Sequence, residues 1–241
     1  ALALREDTLA VGAPLDDTGG TDRGAVYLFR GVGTDFSGLT WQNKFASGTG
    51  ADSMPTLANN DHFGSSRALD GNRLAVGAPA EVAGATGNGA VYLLNGLGDN
   101  IFAWRKTLAS GTGAANMPAL TNGDAFGWSV ALDGDLMAIG ARQDSTGGVS
   151  RGAVHLFTGV GADFSGLTWQ KKIASGTGTT ATPVLSDSDS FGLSIALDGD
   201  RLAVGAVSDA TGGTNRGAVH LFTGVGTDFS GLTWQNKFAS G

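Results

Sequence analysis

Short apolar stretches rich in Val, Leu, Ile and aromatic residues recur along the chain in a fixed order, each bounded by Gly, Asp, Asn, Ser or Thr. Leu9-Ala10-Val11-Gly12-Ala13-Pro14 returns as Leu74 to Pro79, as Met137-Ala138-Ile139-Gly140-Ala141-Arg142, and as Leu202 to Val207. Its glycine falls at Gly12, Gly77, Gly140 and Gly205, in steps of 65, 63 and 65 residues. A second string follows each time, beginning Gly24-Ala25-Val26, Gly89, Gly152 and Gly217. A third opens on Trp41, Trp104, Trp169 or Trp234 and runs to Ser47, Ser110, Ser175 or Ser240. Before the first string of units two to four stands Phe63-Gly64, Phe126-Gly127 or Phe191-Gly192.

Apolar runs this short, punctuated by turn residues, predict strands. The i, i+3, i+4 spacing of an amphipathic helix is missing, and glycine is too dense for a long one. Four strands per unit follow, illustrated by the last unit: A at Ser194–Leu197, B at Leu202–Gly205, C at Ala218–Phe222 and D at Thr233–Ala239. Asp198-Gly199-Asp200, Asp133-Gly134-Asp135 and Asp70-Gly71-Asn72 separate A from B. An Asp-Gly between apolar runs is a strong hairpin signal, because glycine accepts the positive φ of a tight turn. Strands B and C are apolar at nearly every position, as in a sheet covered on both faces. The pattern predicts an all-β chain: one β-propeller domain, 1–241, of four four-stranded antiparallel blades near 1–62, 63–125, 126–190 and 191–241. A β-solenoid is the runner-up.

Phe63-Gly64, then Gly77-Ala78-Pro79, then Gly89 to Leu94 resembles the FG-GAP repeat, and four such units tile the chain. The third and fourth depart from the pattern where Arg142 and Val207 replace the proline. The resemblance implies a propeller like the head of integrin α subunits, or the repeat modules of bacterial surface proteins. Members of that family often carry a calcium loop between strands A and B. The turns here, Asp198 to Arg201 and Arg5 to Thr8, are too short to supply six to eight oxygens.

Composition narrows the function. A net charge of −7 argues against nucleic acid. No apolar run approaches the length of a membrane helix, so membrane insertion is not expected. The absence of cysteine removes disulfides and thiol chemistry. The 41% of apolar residues suffices for a folded core.

Candidate chemistry lies in the loops between strands B and C, where an acid recurs at Asp16, Glu81, Asp144 and Asp209. Arg23, Asn88, Arg151 or Arg216 stands seven residues later, and an ion pair across each loop mouth is the expectation. The alternative is a ring of carboxylates on one rim, meeting a cation or sugar hydroxyls. The first loop, with Asp16, Asp17 and Asp22, is the best candidate for calcium, although no cofactor is the expectation because the spacing matches no established loop. Acids before each Phe-Gly, at Asp61, Asp124 and Asp189, are expected to cap turns. His155 and His220 share a strand C position with Tyr27 and Tyr92, which predicts packing rather than proton transfer. The strand D tryptophans are expected between blades. Trp128 occurs in one unit only, which marks it for a specific contact. His62 stands alone in a loop.

With no Gly-x-Ser-x-Gly elbow and no phosphate loop, the expectation is a chain that is not an enzyme. It is expected to act as a binding or adhesion module outside the cell or at its surface, meeting a protein or glycan on a propeller rim. A lectin with sugar sites between blades is the alternative. Four blades could close on themselves, pair with a second chain into a ring of eight, or belong to a longer propeller; closure within one chain is the expectation.

Overall fold

The computed structural model describes residues 1–50, 54–81, 87–96 and 102–239. Blade 1 holds β1 (Leu2–Arg5), β2 (Thr8–Ala13), β3 (Ala25–Arg30) and β4 (Thr40–Phe45). Blade 2 holds β5 (Ser66–Asp70), β6 (Arg73–Ala78), β7 (Ala90–Gly96) and β8 (Phe102–Leu108). Blade 3 holds β9 (Phe126–Asp133), β10 (Leu136–Ala141), β11 (Ala153–Thr158) and β12 (Thr168–Ile173). Blade 4 holds β13 (Phe191–Asp198), β14 (Arg201–Ala206), β15 (Ala218–Thr223) and β16 (Thr233–Ala239). Each blade is one antiparallel sheet whose strands lie in chain order, so the all-β propeller reading holds.

The turns between the first two strands of each blade are two residues long, as the Asp70↔Arg73 and Asp198↔Arg201 pairings require. Gly71 sits at φ 54° and Gly199 at φ 56°, the left-handed conformation that matches hairpin twist. In blade 1 Glu6 takes that place at φ 50°. In blades 3 and 4 the first strand is longer than its apolar run suggested. It starts at Phe126 and Phe191, and a bulge separates Phe191↔Ala206 from Ser194↔Gly205. The Phe-Gly pair therefore belongs to the sheet, with the extra residue absorbed beside a glycine.

Strand alternation divides each blade into two faces. On blade 4, Leu202, Val204, Ala206 and Phe222 face blade 3, where they meet Ala138, Val154, Leu156 and Ile173. The same layering packs blade 3 on blade 2 and blade 2 on blade 1. Each Phe-Gly phenylalanine is wholly buried and meets the ring on its own blade's third strand edge-on: Phe63 on Tyr92, Phe126 on His155, Phe191 on His220. The Tyr/His position is thus a packing position. Glycine is required where blades touch: a Cβ on Gly140 would lie 2.0 Å from the Gly192 carbonyl oxygen of the next blade.

β1 packs on β5, β5 on β9 and β9 on β13, while no contact joins β1 to β13 among the described residues. The four blades form an open arc. The expected closure within one chain is not what the strands do, because the faces that would have to meet, on blades 1 and 4, remain in solvent with Phe36, Trp41 and Phe238 exposed.

Candidate functional site

The recurring acids of the loops after β2, β6, β10 and β14 do not pair with the arginines seven residues on. Asp16, Asp144 and Asp209 instead receive a lysine from their own fourth strand. Lys44 lies 2.9 Å from Asp16, Lys172 3.0 Å from Asp144 and Lys237 3.1 Å from Asp209. Each acid also accepts the backbone N–H two residues on, from Thr18, Thr146 or Thr211. Antiparallel pairing brings the lysine over the loop from 28 residues away. The arginines reach the loop ahead of the next Phe-Gly: Arg23 donates to Asn59 at 2.9 Å and Arg151 to Asp187 at 2.8 Å. The loop mouth itself is closed by backbone, from the Gly24, Gly152 and Gly217 N–H groups to the Asp16, Asp144 and Asp209 carbonyls.

Burial raises the Asp16 and Asp144 carboxyls, but the hydrogen bonds from threonine and lysine outweigh it and hold both below the usual range. Asp144, Asp209 and Glu81 are buried, so the four acids do not form an exposed ring. Asp17 accepts the Asp22 N–H at 2.9 Å while Asp16 turns inward to Lys44 and to the Tyr27 hydroxyl. Among the described residues no three His, Asp or Glu side chains converge in a way that could hold a metal ion. Asp61, Asp124 and Asp189 cap turns, accepting the N–H groups of Ala58, Thr121 and Ser186.

Blade 2 breaks this scheme. Its lysine position is Thr107 and its arginine position is Asn88. Among the described residues Glu81 has no cation beside it, and burial pushes its carboxyl up to about 7, opposed by a hydrogen bond from Tyr92 and helped by the charge of Asp61. Among the described residues its Oε2 has no hydrogen-bond partner. Blade 3 breaks the pattern too. Trp128 stands where blade 2 has Ser65, and Arg142 where blades 1 and 2 have Pro14 and Pro79. The Arg142 guanidinium lies over the Trp128 ring, 3.6 Å from its centroid, a cation–π stack that fixes the indole.

Trp128 lines a cavity of about 400 Å³, within the usual range for a small-molecule pocket. Pro14 and Leu15 of blade 1, His62 and Ser65 beside the first Phe-Gly, Ala80 and Gly87 beside Glu81 and Asn88, and Trp128 and Gln143 of blade 3 line it. The turn that enters each Phe-Gly places its wall: Ser65 N–H donates to the His62 carbonyl and Trp128 N–H to the Ala125 carbonyl. His62 has φ 56°, but Ala125 and Ser190 share that conformation, so it belongs to the repeat rather than to chemistry. Of the candidates from sequence, Trp128 lines this cavity and Glu81 lies next to it. Asp16 and Asp144 likewise follow lining residues, Leu15 and Gln143, but they and Asp209 are taken up in ion pairs. Arg142 was seen only as a replacement for the proline of the repeat, the loss of lysine at Thr107 was missed although it breaks the repeat, and Gln143 was missed because its position carries Leu15, Ala80 or Ser208 in the other units.

The FG-GAP repeat model matches residues 1–29, 57–94, 120–157 and 184–222, more than half the chain. The chain belongs to the FG-GAP repeat family. No curated protein matches its sequence. Among solved structures, the FG-GAP chain is similar in fold to the periplasmic gluconolactonase PpgL of Pseudomonas aeruginosa, at 15% identity with a TM-score of 0.56. The likeness covers 100% of this chain and 57% of that one, so the FG-GAP chain spans less than two thirds of that protein.

This finding corrects the expectation of a non-enzymatic adhesion module, and with it the lectin alternative. The fold that accommodates the whole FG-GAP chain is also the fold of an enzyme, so the absence of catalysis does not follow from the repeat. The motifs sought in the sequence were those of other folds. A propeller places chemistry on loops from several blades, with no local signature.

Proposed function

We propose that the FG-GAP chain acts outside the cytoplasm as a hydrolase of small cyclic esters of the sugar-acid lactone class, with its site in the cavity over blades 1 to 3. One observation carries this reading: Trp128, the aromatic found in one unit only, lines that cavity together with His62, Ser65 and Gln143, whereas the repeated acids Asp16, Asp144 and Asp209 are taken up in ion pairs. The fold shared with a gluconolactonase and that protein's periplasmic location support it. In this assignment the Trp128 ring, held by Arg142, stacks on the apolar face of the sugar ring. The Gln143 amide donates to the lactone carbonyl oxygen as negative charge develops there, the His62 imidazole takes the proton of the attacking water, and it returns that proton to the ring oxygen as the ester C–O bond breaks to give the open-chain acid.

The test is acid release from gluconolactone, followed against the spontaneous reaction. The expected result is acceleration that falls at least tenfold in Trp128→Ala and in His62→Ala, with far-ultraviolet circular dichroism unchanged. A rate equal to spontaneous hydrolysis with the unaltered chain overturns the reading.

A further inference from the structure

Asparagine followed by glycine occurs three times, at Asn88-Gly89, Asn95-Gly96 and Asn122-Gly123. Such a pair carries its own chemistry: the glycine nitrogen can attack the asparagine carboxamide, because the second residue has no side chain to stand in the way. The fold closes that route at two of the three. Asn88 is 3% exposed and Asn95 is 7% exposed. The Asn88 side chain donates to the Leu120 carbonyl at 3.4 Å. The Asn95 side chain donates to the Ala162 carbonyl at 3.2 Å and accepts from Arg105. The glycine nitrogens are engaged as well, Gly89 on the Glu81 carbonyl at 3.1 Å and Gly96 on the Asn72 carbonyl at 2.7 Å.

Asn122 stands in different surroundings. It and Gly123 are exposed at the centre of the turn Thr121 to Asp124, which the Asp124 N–H closes on the Thr121 carbonyl at 3.2 Å. In the units on either side an arginine of the preceding blade grips this position, Arg23 on Asn59 and Arg151 on Asp187. Ahead of blade 3 the arginine is replaced by Asn88, which turns to Leu120, so Asn122 lacks that grip. A Cβ on Gly123 would meet nothing within 4 Å among the described residues, whereas one on Gly89 would lie 2.1 Å from the Phe126 carbonyl oxygen. Room for ring closure exists at the first site and not at the second.

We propose that Asn122 is a site of spontaneous covalent modification, deamidating through a cyclic imide while Asn88 and Asn95 are protected. The Gly123 nitrogen bonds to Asn122 Cγ, the Cγ–Nδ2 bond breaks, and the Gly123 proton leaves on the ammonia released. Water then opens the imide at either carbonyl. One opening leaves aspartate, which blade 4 carries at the same place as Asp187. The other leaves isoaspartate, whose main chain runs through the side-chain carbon and is one carbon longer. That lengthening falls in a closely tied turn. The Thr121 N–H donates to the Asp124 carboxylate at 2.7 Å, and the Asp124 carbonyl accepts the Gln143 N–H at 3.2 Å. Ala125, next in the chain, lines the cavity with Gln143 and Trp128. Isoaspartate at 122 therefore loosens the turn that sets one wall of the cavity.

The test is peptide mass spectrometry on the folded 241-residue chain held in mildly alkaline buffer, beside a sample unfolded in urea. Trypsin places Asn122 in the peptide 107–142, and Asn88 and Asn95 in the peptide 74–105. The expected result is a gain of about 1 Da at Asn122 at least tenfold faster than at Asn88 or Asn95 in the folded chain, with the three rates converging in urea. The Asp-Gly turns pass through the same imide with no net change of mass, so the readout reports asparagine alone. Gly123→Ser copies Ser188 of blade 4, which holds φ 69°, and is expected to slow the gain at least tenfold. The modified chain is expected to melt below Asn122→Asp, since only isoaspartate lengthens the turn. Equal rates at the three sites in the folded chain, or an unchanged rate in Gly123→Ser, overturn the proposal. A modified chain that melts together with Asn122→Asp overturns the loosened turn as its consequence.

Discussion

The seventeen residues Gly31–Ser47 of blade 1 and Gly224–Ser240 of blade 4 are identical, yet the arc treats them oppositely. Phe36 is 51% exposed and its twin Phe229 is 0% exposed, whereas Phe45 is 0% exposed and its twin Phe238 is 61%. One stretch of sequence buries one edge in blade 1 and the other edge in blade 4. Local sequence therefore sets the conformation of the loop and strand, since Phe36 and Phe229 share φ near 60°. Neighbouring blades decide which side chains leave water. In a repeat protein the burial of a residue is a property of the junction it belongs to.

The largest expected effect tests that statement directly. Phe229→Ala removes a ring from a closed junction and is expected to cost about 3–5 kcal/mol of unfolding free energy. Phe36→Ala, the same change in the same local sequence, is expected to cost less than about 1 kcal/mol in the monomer. Urea denaturation of both variants at low protein concentration measures the difference. Equal losses would break the comparison, since they would mean that local structure and not the junction holds the loop. A Phe36→Ala loss that grows with protein concentration would sharpen it, because the missing neighbour would then be a second copy.

Much of this architecture was legible in the sequence and some was not, for a physical reason. Strands, two-residue turns and the fourfold repeat depend on residues close in the chain, and all could be read from Asp70-Gly71, Asp198-Gly199 and the spacing of Gly12, Gly77, Gly140 and Gly205. The partner of Asp16 could not, because Lys44 arrives only after two antiparallel pairings, β2 on β3 and β3 on β4, place it over the loop. Arg23 is nearer in sequence but points to Asn59 in the chain leading into blade 2. The cavity was half legible. Trp128 stood out as unrepeated, while the exchange of lysine for Thr107 passed unnoticed because it is an absence. The likeness in fold to a gluconolactonase was not legible, because the sequence carries no motif that separates one propeller from another.

A second test uses the third strand, where blade 1 has Tyr27 and blade 4 has His220. Burial lowers the His220 pKa to about 4, with the Lys237 charge adding and Asp209 opposing. An unfolded histidine titrates near 6.5. The folded value is the lower one, so the stability associated with neutral His220 is complete above about pH 6.5. It is lost as pH falls through that range toward 4. Full protonation is worth about 3 kcal/mol at most. A phenol takes up no proton in this window. His220→Tyr, which copies blade 1, is therefore expected to flatten the decline of melting temperature between pH 6.5 and 4. An unchanged acid limb would place the sensitivity elsewhere and remove this distinction between the blades.

The smallest effect concerns Arg23 and Arg216, which hold the same place in blades 1 and 4. Arg23 donates from Nε to Asn59 at 2.9 Å and from Nη1 to the Ser47 hydroxyl at 3.1 Å. The Ser47 hydroxyl in turn accepts the Leu57 N–H, so the arginine secures the crossing from blade 1 to blade 2. Arg216 is exposed and has no such crossing to reach among the described residues. Arg23→Ala is expected to cost about 1 kcal/mol, the net worth of ordinary hydrogen bonds in a partly exposed setting. Arg216→Ala is expected to fall within about 0.5 kcal/mol of the parent. The gap between the two losses reflects the loop that Arg23 grips, for which Arg216 has no counterpart among the described residues. Paired denaturation curves for the two variants, at low and high protein concentration, measure it. A loss at Arg216 equal to that at Arg23 would mean that the arginine stabilises its own loop, and that the contact with the next blade contributes nothing.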